Sequence, residues 1–354
     1  MTTTITALQA DSAESSFTTR TLERRSLATD DVRIAIRYAG ICHSDIHQVR
    51  DEWGGTSFPI TPGHEIVGDV LEVGAEVSKF KVGDTVGVGC FVDSCMECEA
   101  CKDGEEQFCS QGVIATYNGQ NKDGETTHGG YSQQIVVRDH FVLSVPESLD
   151  PAAATPLLCA GITTYAPLKR YGAGPGVKVG VIGMGGLGHV AVKIAAAMGA
   201  EVTGLSRTDS KKEDGLAFGA TAYRATEDGS AFKDLAGSFD LIINTVGASV
   251  SLDSFLGLLG RGGTMVNVGA PSEEQSFQMF SLLAMRRNYA GSMVGGLPET
   301  QEMLDFCAEH GITSTIELIK ADQVDEYYEK VVSGDVRYRA VIDIASLDKA
   351  DAAA

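Results

Sequence analysis

The stretch Val177–Ser206, VKVGVIGMGGLGHVAVKIAAAMGAEVTGLS, decides the fold of the chain. It begins with the apolar, β-branched run Val177–Ile182, which is typical of a strand buried in a parallel sheet. After a glycine-rich turn, Gly188–Met198 has the composition of a helix that ends at Gly199. Glu201–Leu205 then indicates a second strand. The order of strand, turn, helix and strand predicts an α/β fold with a doubly wound parallel sheet.

The turn between the first strand and the helix has the pattern G-x-G-x-x-G. Its first glycine permits a tight turn, its second lets a pyrophosphate approach the backbone, and its third lets helix and strand pack closely. The N-terminus of the following helix supplies unpaired N–H groups for an anion. We therefore predict a dinucleotide-binding site that contains Gly183, Gly185, Gly186, Leu187 and Gly188.

The end of the second strand predicts which dinucleotide is bound. An acidic residue at this point would hydrogen-bond a free ribose and repel a 2′-phosphate. This chain instead has Ser206 and Arg207, followed by Lys211, so hydroxyl and cationic groups favour NADP over NAD. Asp209 opposes this interpretation to a small extent, and Arg207 and Lys211 could also be simple solvated residues at a helix start.

Length and composition exclude several classes of protein. The chain has 354 residues, which suggests two domains at about 150 residues each. Its net charge of −20 argues against nucleic acid and anionic membrane as partners. No apolar stretch is long enough for a membrane span, and the N-terminus lacks the pattern of a secretory signal. We therefore expect a cytoplasmic protein, in which eight cysteines indicate metal or catalytic roles rather than disulfides.

Four of the cysteines lie in one short segment with the spacing C-x2-C-x2-C-x7-C. Closely spaced thiolates can surround one zinc ion, and four of them leave no open coordination position. We predict a structural zinc site formed by Cys95, Cys98, Cys101 and Cys109. An iron–sulfur cluster is the main alternative, although no proline follows the fourth cysteine, and four unpaired thiols are another.

A second set of metal-binding side chains is dispersed along the chain. Cys42, His64 and Cys159 each lie in a different segment, and each taken alone is weak evidence. Together they are typical of a catalytic zinc site with one position open for water or substrate. Spacing alone does not assemble this set.

These segments, taken in order, resemble a known family. They are G-I-C-H-S-D-I-H at Gly40–His47, P-G-H-E-I-V-G at Pro62–Gly68, the four-cysteine segment, L-L-C-A-G-I-T-T-Y at Leu157–Tyr165 and the glycine-rich turn. The chain resembles the zinc-dependent medium-chain alcohol dehydrogenases. Within them it is most similar to cinnamyl alcohol dehydrogenases and bacterial NADP-dependent aldehyde reductases.

The resemblance implies a β-rich GroES-like catalytic zinc domain at 1–155 and 295–354, and a Rossmann-type dinucleotide-binding domain at 156–294. It implies that Cys42, His64 and Cys159 bind catalytic zinc, with Glu65 as an alternate or neighbouring ligand and Asp45 orienting a ligand. It implies that Arg339 meets the pyrophosphate. Further implied cofactor contacts are Thr163, Thr245, Gly269, Ser292, Met293 and Val294.

The implied activity is zinc-dependent interconversion of small-molecule aldehydes and primary alcohols with NADP(H), and broad aldehyde reduction is the expected direction. Ser44 and His47 lie three residues apart, which would be one helical turn, and could carry a proton to the substrate oxygen through the cofactor ribose. The alternatives are an NAD-dependent polyol or secondary alcohol dehydrogenase, a quinone reductase without zinc, and a non-catalytic NADPH-binding protein. Family analogy implies a homodimer in which Ala290–Gly296 pairs two sheets.

Overall fold

The structure is a computed structural model that describes residues 2–271 and 273–349. The chain divides into two compact units. One comprises residues 1–159 and 295–354, and the other comprises residues 160–294.

The second unit is built around a sheet of six parallel strands. In spatial order they are Ala222–Ala225, Glu201–Ser206, Lys178–Ile182, Phe239–Asn244, Leu259–Asn267 and Asn288–Gly291. Numbered along the chain, this order is 3-2-1-4-5-6, which defines the Rossmann arrangement. The doubly wound parallel sheet predicted from Val177–Ser206 is therefore confirmed.

The helix Ala160–Arg170 precedes the first of these strands. Short helices between the strands are Gly188–Ala197, Lys212–Ala217, Ser230–Asp234, Leu252–Leu256 and Phe280–Leu283. Apolar side chains from the central strands, such as Ile182, Leu205 and Ile242, pack with Phe255 and Leu256 in a buried core cluster. Because both faces of a parallel sheet are covered, the central strands Lys178–Ile182 and Phe239–Asn244 are mostly apolar and buried, which gives them a strong sequence signal.

The first unit contains a mostly antiparallel sheet of seven strands, as expected for a β-rich GroES-like domain. Six of them lie in the order Ile316–Lys320, Arg339–Asp343, Asp31–Ile41, Ile66–Val73, Thr85–Val88 and Leu143–Ser144. The seventh, Gln134–Arg138, pairs with the first half of Asp31–Ile41. The unit's helices are His43–Val49, Glu99–Lys102, Pro151–Ala154, Leu297–Glu309 and Val324–Ser333.

The N-terminal segment forms a structure for which the sequence analysis had no assignment. Strands Thr3–Gln9 and Thr18–Arg24 pair in an antiparallel hairpin. Ile5, Ala7 and Leu22 form its small buried cluster. A second small hairpin joins Phe91–Asp93 to Ile114–Ala115 and encloses the four-cysteine segment.

The segment that follows Asp150 consists of three helical pieces. The helix Pro151–Ala154 is followed by the 3-10 turn Thr155–Leu158 and then by the helix Ala160–Arg170. Cys159 stands at the break between the last two, with φ of −126° and ψ of −66°. The break is local and does not change the apolar composition, so composition alone does not reveal it.

No helix within residues 2–271 and 273–349 is long and apolar enough to cross a membrane.

Candidate active site and cofactor-binding elements

The four-cysteine segment folds into a compact cluster of sulfur atoms. The Sγ atoms of Cys95, Cys98, Cys101 and Cys109 all lie within 4.8 Å of one another. Backbone N–H groups point at them: Cys98 donates to Cys95 Sγ at 3.4 Å, and Ser110 donates to Cys98 Sγ at 3.5 Å. The N–H groups of Ser110 and Cys101 lower the pKa of Cys98 to about 6. Four close sulfurs that receive amide hydrogen bonds fit one tetrahedral zinc ion with no open position.

Glu106 lies inside the same segment and was missed by sequence analysis. Its side chain is fully buried. Its Oε2 accepts the Leu297 N–H at 3.0 Å, and its Oε1 lies 2.7 Å from His140 Nε2. The carboxylate therefore fastens the four-cysteine segment to the N-terminus of the helix Leu297–Glu309. No local pattern reveals this role, because its partner Leu297 is 191 residues away.

The dispersed set of metal-binding side chains is brought together by the pairing of two central strands. Cys42 follows the strand Asp31–Ile41, and His64 and Glu65 precede the strand Ile66–Val73. Ala39 pairs with Ile66 in the sheet, and the Gly40 N–H donates to the Glu65 carbonyl at 2.9 Å. Cys159 completes the set. The donor atoms of Cys42, His64, Glu65 and Cys159 all lie within 4.8 Å of one another, and all four residues are buried.

Asp45 fixes two of these segments. It is fully buried, and its Oδ1 accepts a hydrogen bond from the Gly63 N–H at 3.1 Å and lies 2.9 Å from His64 Nδ1. Its Oδ2 accepts the Cys42 N–H at 2.9 Å. Burial disfavours a charged imidazole, but Asp45 outweighs it and holds the pKa of His64 well above its ordinary value. An Nδ1–H directed at a carboxylate leaves Nε2 as the nitrogen that binds a metal.

Glu65 is held by a buried cation. Its Oε1 pairs with Arg339 Nη2, and both side chains are almost completely buried. Burial raises the pKa of Glu65 to about 7, although the Arg339 charge opposes that shift. Its other oxygen, Oε2, is buried and has no hydrogen-bond partner within the described residues. A Cβ atom on Gly40 would lie 1.9 Å from Oε2, so only glycine at position 40 leaves room for this carboxylate.

The donor set and its electrostatics fit a zinc ion. Interaction with the neighbouring Cys159 thiol and the nearby Arg339 charge lowers the pKa of Cys42 well below its ordinary value despite burial. One thiolate is thus favoured even before a metal is considered, and thiolates are the form that binds zinc. The Glu65 oxygen that lacks a donor among the described residues is the second indication, because a buried acceptor of this kind can be satisfied by a metal ion. Two sulfurs and one imidazole, which leave one coordination position open, are typical of catalytic zinc.

Cys90 also reaches this set, which the sequence analysis did not anticipate. Its thiol donates to the Leu158 carbonyl oxygen at 3.9 Å, and interaction with the Cys159 thiol lowers its pKa. Cys307, in contrast, is a buried thiol of the packed interior whose sulfur contacts Met303 at 3.7 Å.

Ser44 and His47 lie on the helix His43–Val49, one turn apart. Ser44 Oγ is 3.8 Å from Cys42 Sγ, so the hydroxyl borders the metal-binding set. His47 Nδ1 pairs with the Glu52 carboxylate, and its ring stacks on Trp53 with centroids 5.1 Å apart. Glu52 is a further residue that sequence reasoning missed, because nothing in its local sequence marks it as a partner of His47.

The glycine-rich turn in the second unit has the geometry that its sequence predicts. Gly183 has φ of +90°, a conformation that favours glycine. A Cβ on Gly188 would lie 1.9 Å from the Gly183 carbonyl oxygen, so helix and turn are in direct contact there. A Cβ on Gly185 would meet nothing within 4 Å, which leaves its backbone open to a ligand. Gly186 and Leu187 complete the turn and lead into the helix Gly188–Ala197.

The other predicted cofactor contacts cluster at the carboxyl ends of the strands. Thr245 follows Phe239–Asn244, and its Oγ1 donates to the Ile182 carbonyl at 2.8 Å. This is the point where the strand order reverses, at which open α/β sheets bind ligands. Gly269 approaches the same turn, since a Cβ there would lie 2.1 Å from the Val246 carbonyl oxygen.

The remaining predicted contacts occupy three places in this unit. Thr163 is buried in the helix Ala160–Arg170. Ser206 ends the strand Glu201–Ser206, with exposed Arg207 next to it and Lys211 in the following 3-10 turn. Residues 292–294, namely Ser292, Met293 and Val294, follow the edge strand Asn288–Gly291.

Arg339 does not belong to the second unit. It lies at the start of the strand Arg339–Asp343 in the first unit, where its guanidinium pairs with Glu65. The local sequence gives no sign of this pair, because its members are 274 residues apart.

Comparisons with known proteins agree with this geometry. Residues 28–147 match the alcohol dehydrogenase GroES-like domain, and residues 186–309 match the zinc-binding dehydrogenase model. The chain is 58% identical over 345 residues to NADP-dependent alcohol dehydrogenase C 1 of Mycolicibacterium smegmatis, covering 97% of this chain and 99% of that protein. It is 51% identical over 347 residues to the aldehyde reductase YahK of Escherichia coli, with coverage of 97% and 99%.

A solved structure supports the same assignment. The structure of CAD from Helicobacter pylori complexed with NADP(H) superposes with a TM-score of 0.92 at 41% identity, covering 98% of this chain and 99% of that one. Zinc and NADP(H) are the cofactors of this group of proteins, and both predicted donor sets suit zinc. The chain therefore belongs to the zinc-binding alcohol dehydrogenase family.

Proposed function

We propose that this protein is an NADP(H)-dependent oxidoreductase that interconverts aldehydes and primary alcohols, with broad aldehyde reduction as its main activity. The observation that carries the proposal is the buried set Cys42, His64, Glu65 and Cys159, in which one carboxylate oxygen has no hydrogen-bond partner among the residues that the structure describes. Relatives named as NADP-dependent alcohol dehydrogenases and as an aldehyde reductase support it at 51% identity and above.

Each metal site has a proposed role. Cys42, His64 and Cys159 would hold a catalytic zinc ion. Glu65, whose carboxylate forms an ion pair with Arg339, would be an alternate ligand. Cys95, Cys98, Cys101 and Cys109 would hold a structural zinc ion. When bound, zinc supplies a Lewis acid that polarises the substrate oxygen, and NADPH supplies the hydride.

We assign catalytic zinc binding to residues 1–155 and 295–354, and dinucleotide binding to residues 156–294. The backbone of the glycine-rich turn and the N-terminus of the helix Gly188–Ala197 would bind the pyrophosphate. Thr163, Thr245, Gly269 and residues 292–294 would contact the nicotinamide side.

The protein's own side chains would carry the proton. Ser44 borders the metal-binding set, and its hydroxyl can donate to the oxygen that gains charge during aldehyde reduction. His47, one turn along the same helix, would resupply the proton through the cofactor ribose. Glu52 orients the His47 ring by pairing with its Nδ1, which leaves Nε2 for the transfer.

We propose NADP rather than NAD because a hydroxyl and two cations follow the second strand. Arg207 is exposed there, and a guanidinium can bind a 2′-phosphate through two hydrogen bonds. We expect Arg207→Asp to raise the KM for NADPH far more than the KM for NADH. An equal effect on both would contradict this assignment.

The direct test of function is a screen of NADPH oxidation with aromatic and aliphatic aldehydes, with NADH as the control cofactor. We expect turnover with several aldehydes and a clear preference for NADPH. Zinc-loaded protein that binds NADPH but reduces none of them would instead be a non-catalytic NADPH-binding protein. Faster polyol oxidation with NAD would favour the polyol dehydrogenase alternative.

We also propose a homodimer in a reducing compartment. Asn288–Gly291 is an edge strand whose outer side is available for pairing, and Met279, Phe280 and Leu283 are large apolar side chains exposed near it in sequence. Light scattering should therefore give twice the mass of the chain. All eight cysteines are free thiols, which suits the cytoplasm.

A further inference from the structure

The segment proposed to distinguish NADP from NAD, residues 206–211, is anchored by its backbone carbonyl groups. The carbonyl oxygen of Ser206 accepts the Thr226 N–H at 2.9 Å, and that of Arg207 accepts the Glu227 N–H at 3.1 Å. Thr226 and Glu227 directly follow the neighbouring strand of the parallel sheet. The turn after that strand therefore holds the first part of the segment.

The next carbonyl of the segment is held by a side chain. Tyr223 Oη donates to the Thr208 carbonyl oxygen at 3.1 Å. At Thr208 the chain is still extended, with φ of −126° and ψ of 170°, and it then enters the 3-10 turn Asp209–Lys211. The Thr208 hydroxyl caps this turn by accepting the Ser210 N–H at 3.5 Å. The Tyr223 hydroxyl thus fixes the point from which the turn that carries Lys211 departs.

The Tyr223 side chain is itself fixed by close packing, and it is only 4% exposed. A Cβ atom on Gly204 would lie 2.9 Å from its ring, and a Cβ atom on Gly215 would lie 2.8 Å from it. Gly204 belongs to the strand Glu201–Ser206 and Gly215 to the helix Lys212–Ala217. The ring therefore fills the space between these two elements, which determines where its hydroxyl lies.

Met184 shares this space with the tyrosine ring. A Cβ atom on Gly204 would lie 3.0 Å from Met184 Cε, and one on Gly215 would lie 3.3 Å from it. Met184 is buried and is the second residue of the glycine-rich turn. The packing beneath residues 206–211 is thus continuous with the turn proposed to bind the pyrophosphate. A phenylalanine at position 223 would keep this packing and remove only the hydroxyl.

The charge of the chain makes the placement of this segment important. With a net charge of −20, the overall field opposes a 2′-phosphate, so binding depends on local groups. Arg207 is exposed, and Ser206 and Lys211 are half-buried. Long side chains on an unanchored backbone lose conformational freedom when they bind a ligand, whereas a backbone that is already fixed lowers this cost.

We infer that Tyr223 is a positioning residue for NADP selectivity. Its hydroxyl holds the Thr208 carbonyl, and the segment 206–211 thereby keeps its two cations in place for the 2′-phosphate. The inference rests on the NADP preference proposed above. It adds a buried residue that acts through the backbone of the segment, and one such hydrogen bond corresponds to about 3- to 10-fold in a binding constant.

The test is direct binding of NADPH and of NADH to the zinc-loaded protein, followed by the fluorescence of the reduced cofactor. We expect Tyr223→Phe to raise the Kd for NADPH about 3- to 10-fold. The Kd for NADH should change less than about twofold, because NADH lacks the 2′-phosphate. Phenylalanine keeps the ring between Gly204 and Gly215, so the melting temperature should change little.

Two further variants make the result specific. Tyr171→Phe is the matched control, because it removes the hydroxyl of a half-buried tyrosine in the same unit. It should bind both cofactors like the wild type. The double variant Arg207→Ala/Lys211→Ala lacks both cations of the segment. Adding Tyr223→Phe to it should change the Kd for NADPH less than about twofold, since Tyr223 acts through these residues.

Four outcomes would overturn the inference. They are an unchanged Kd for NADPH in Tyr223→Phe, an equal rise for NADPH and NADH, the same rise in Tyr171→Phe, and the full rise in the variant that lacks both cations. A wild type that binds NADPH no more tightly than NADH would instead contradict the proposed NADP preference itself, so the two failures are distinguishable.

Discussion

The two metal-binding sets of this protein are built in opposite ways. Cys95, Cys98, Cys101 and Cys109 come from one short loop and offer four sulfurs, which leaves no position for a substrate. Cys42, His64, Glu65 and Cys159 come from three separate segments and include a carboxylate that a buried arginine restrains. Four sulfurs fill the coordination positions of a zinc ion, whereas two sulfurs and one imidazole leave a position that a substrate oxygen can take.

The difference also sets what each site depends on. The loop needs its own backbone amides and the Glu106 contact with the helix Leu297–Glu309. The dispersed set needs the pairing of Asp31–Ile41 with Ile66–Val73 and the hydrogen bonds of Asp45. We therefore expect damage to the loop to appear as lost stability and damage to the dispersed set to appear as lost activity.

The largest effect should follow from a change in the dispersed set. We expect Cys159→Ser to lose one zinc ion and about 10⁴-fold in kcat/KM, because roughly 5 kcal/mol of transition-state stabilisation by the metal disappears. Its melting temperature should change little. Cys307→Ala removes a buried thiol far from both sets in the sequence and should keep full activity and both zinc ions. Equal loss of zinc and of kcat/KM in both variants would contradict the catalytic role of the dispersed set.

The matching change in the loop is Cys101→Ser. We expect it to lose the other zinc ion and to lower the free energy of unfolding by more than about 4 kcal/mol, because a structural metal contributes directly to folding. Denaturant unfolding checks this. The fraction that remains folded should keep a kcat within about threefold of the wild type, since the substituted thiol does not face the reaction. A loss of kcat without a loss of stability would contradict the assigned roles.

Glu106→Gln tests the contact that joins the four-cysteine loop to the helix Leu297–Glu309. Burial raises the pKa of Glu106, but the His140 hydrogen bond and the Leu297 N–H outweigh burial and lower it below its ordinary 4.5. A lowered pKa in the folded state means that the carboxylate stabilises the fold above pH 4.5 and loses this effect as the pH falls through the folded pKa. We expect Glu106→Gln to cost about 2 kcal/mol at pH 7. The difference from the wild type should vanish in acid, and a difference independent of pH would contradict the role of the charge.

The smallest expected effect concerns His47, which lies on the helix that follows Cys42. We expect His47→Gln to lower alcohol oxidation about tenfold at neutral pH, because the proton loses its acceptor. Activity should recover partly at high pH, where hydroxide can accept the proton. The His47 side chain is one-fifth exposed, so water can take over part of its role as proton acceptor. A pH–rate profile identical to that of the wild type would exclude the relay.

The same contrast explains what the sequence could predict. The four-cysteine cluster was predictable because its spacing is local, and Val177–Ser206 was predictable because a buried parallel strand, a glycine turn and a helix are contiguous. Cys42, His64 and Cys159 of the dispersed set could be named from their residue types, but their spacing could not show that they come together. Their proximity depends on the pairing of Ala39 with Ile66, which no spacing encodes.

The supporting contacts were out of reach for the same reason. The pair of Arg339 with Glu65 and the contact of Glu106 with Leu297 join residues 274 and 191 positions apart. The N-terminal hairpin was missed because its buried side chains alternate with polar ones only weakly, and it buries just a small cluster. Local patterns specify elements and local sites, whereas contacts between elements become visible only in the folded chain.

We propose that one chain holds two zinc ions, one catalytic and one structural. The most direct measurement is the zinc content of purified wild type, Cys159→Ser and Cys101→Ser by inductively coupled plasma mass spectrometry. We predict two ions per chain in the wild type and one in each variant, with activity lost in the first variant and stability lost in the second. One ion in the wild type, or two in Cys159→Ser, would contradict the account.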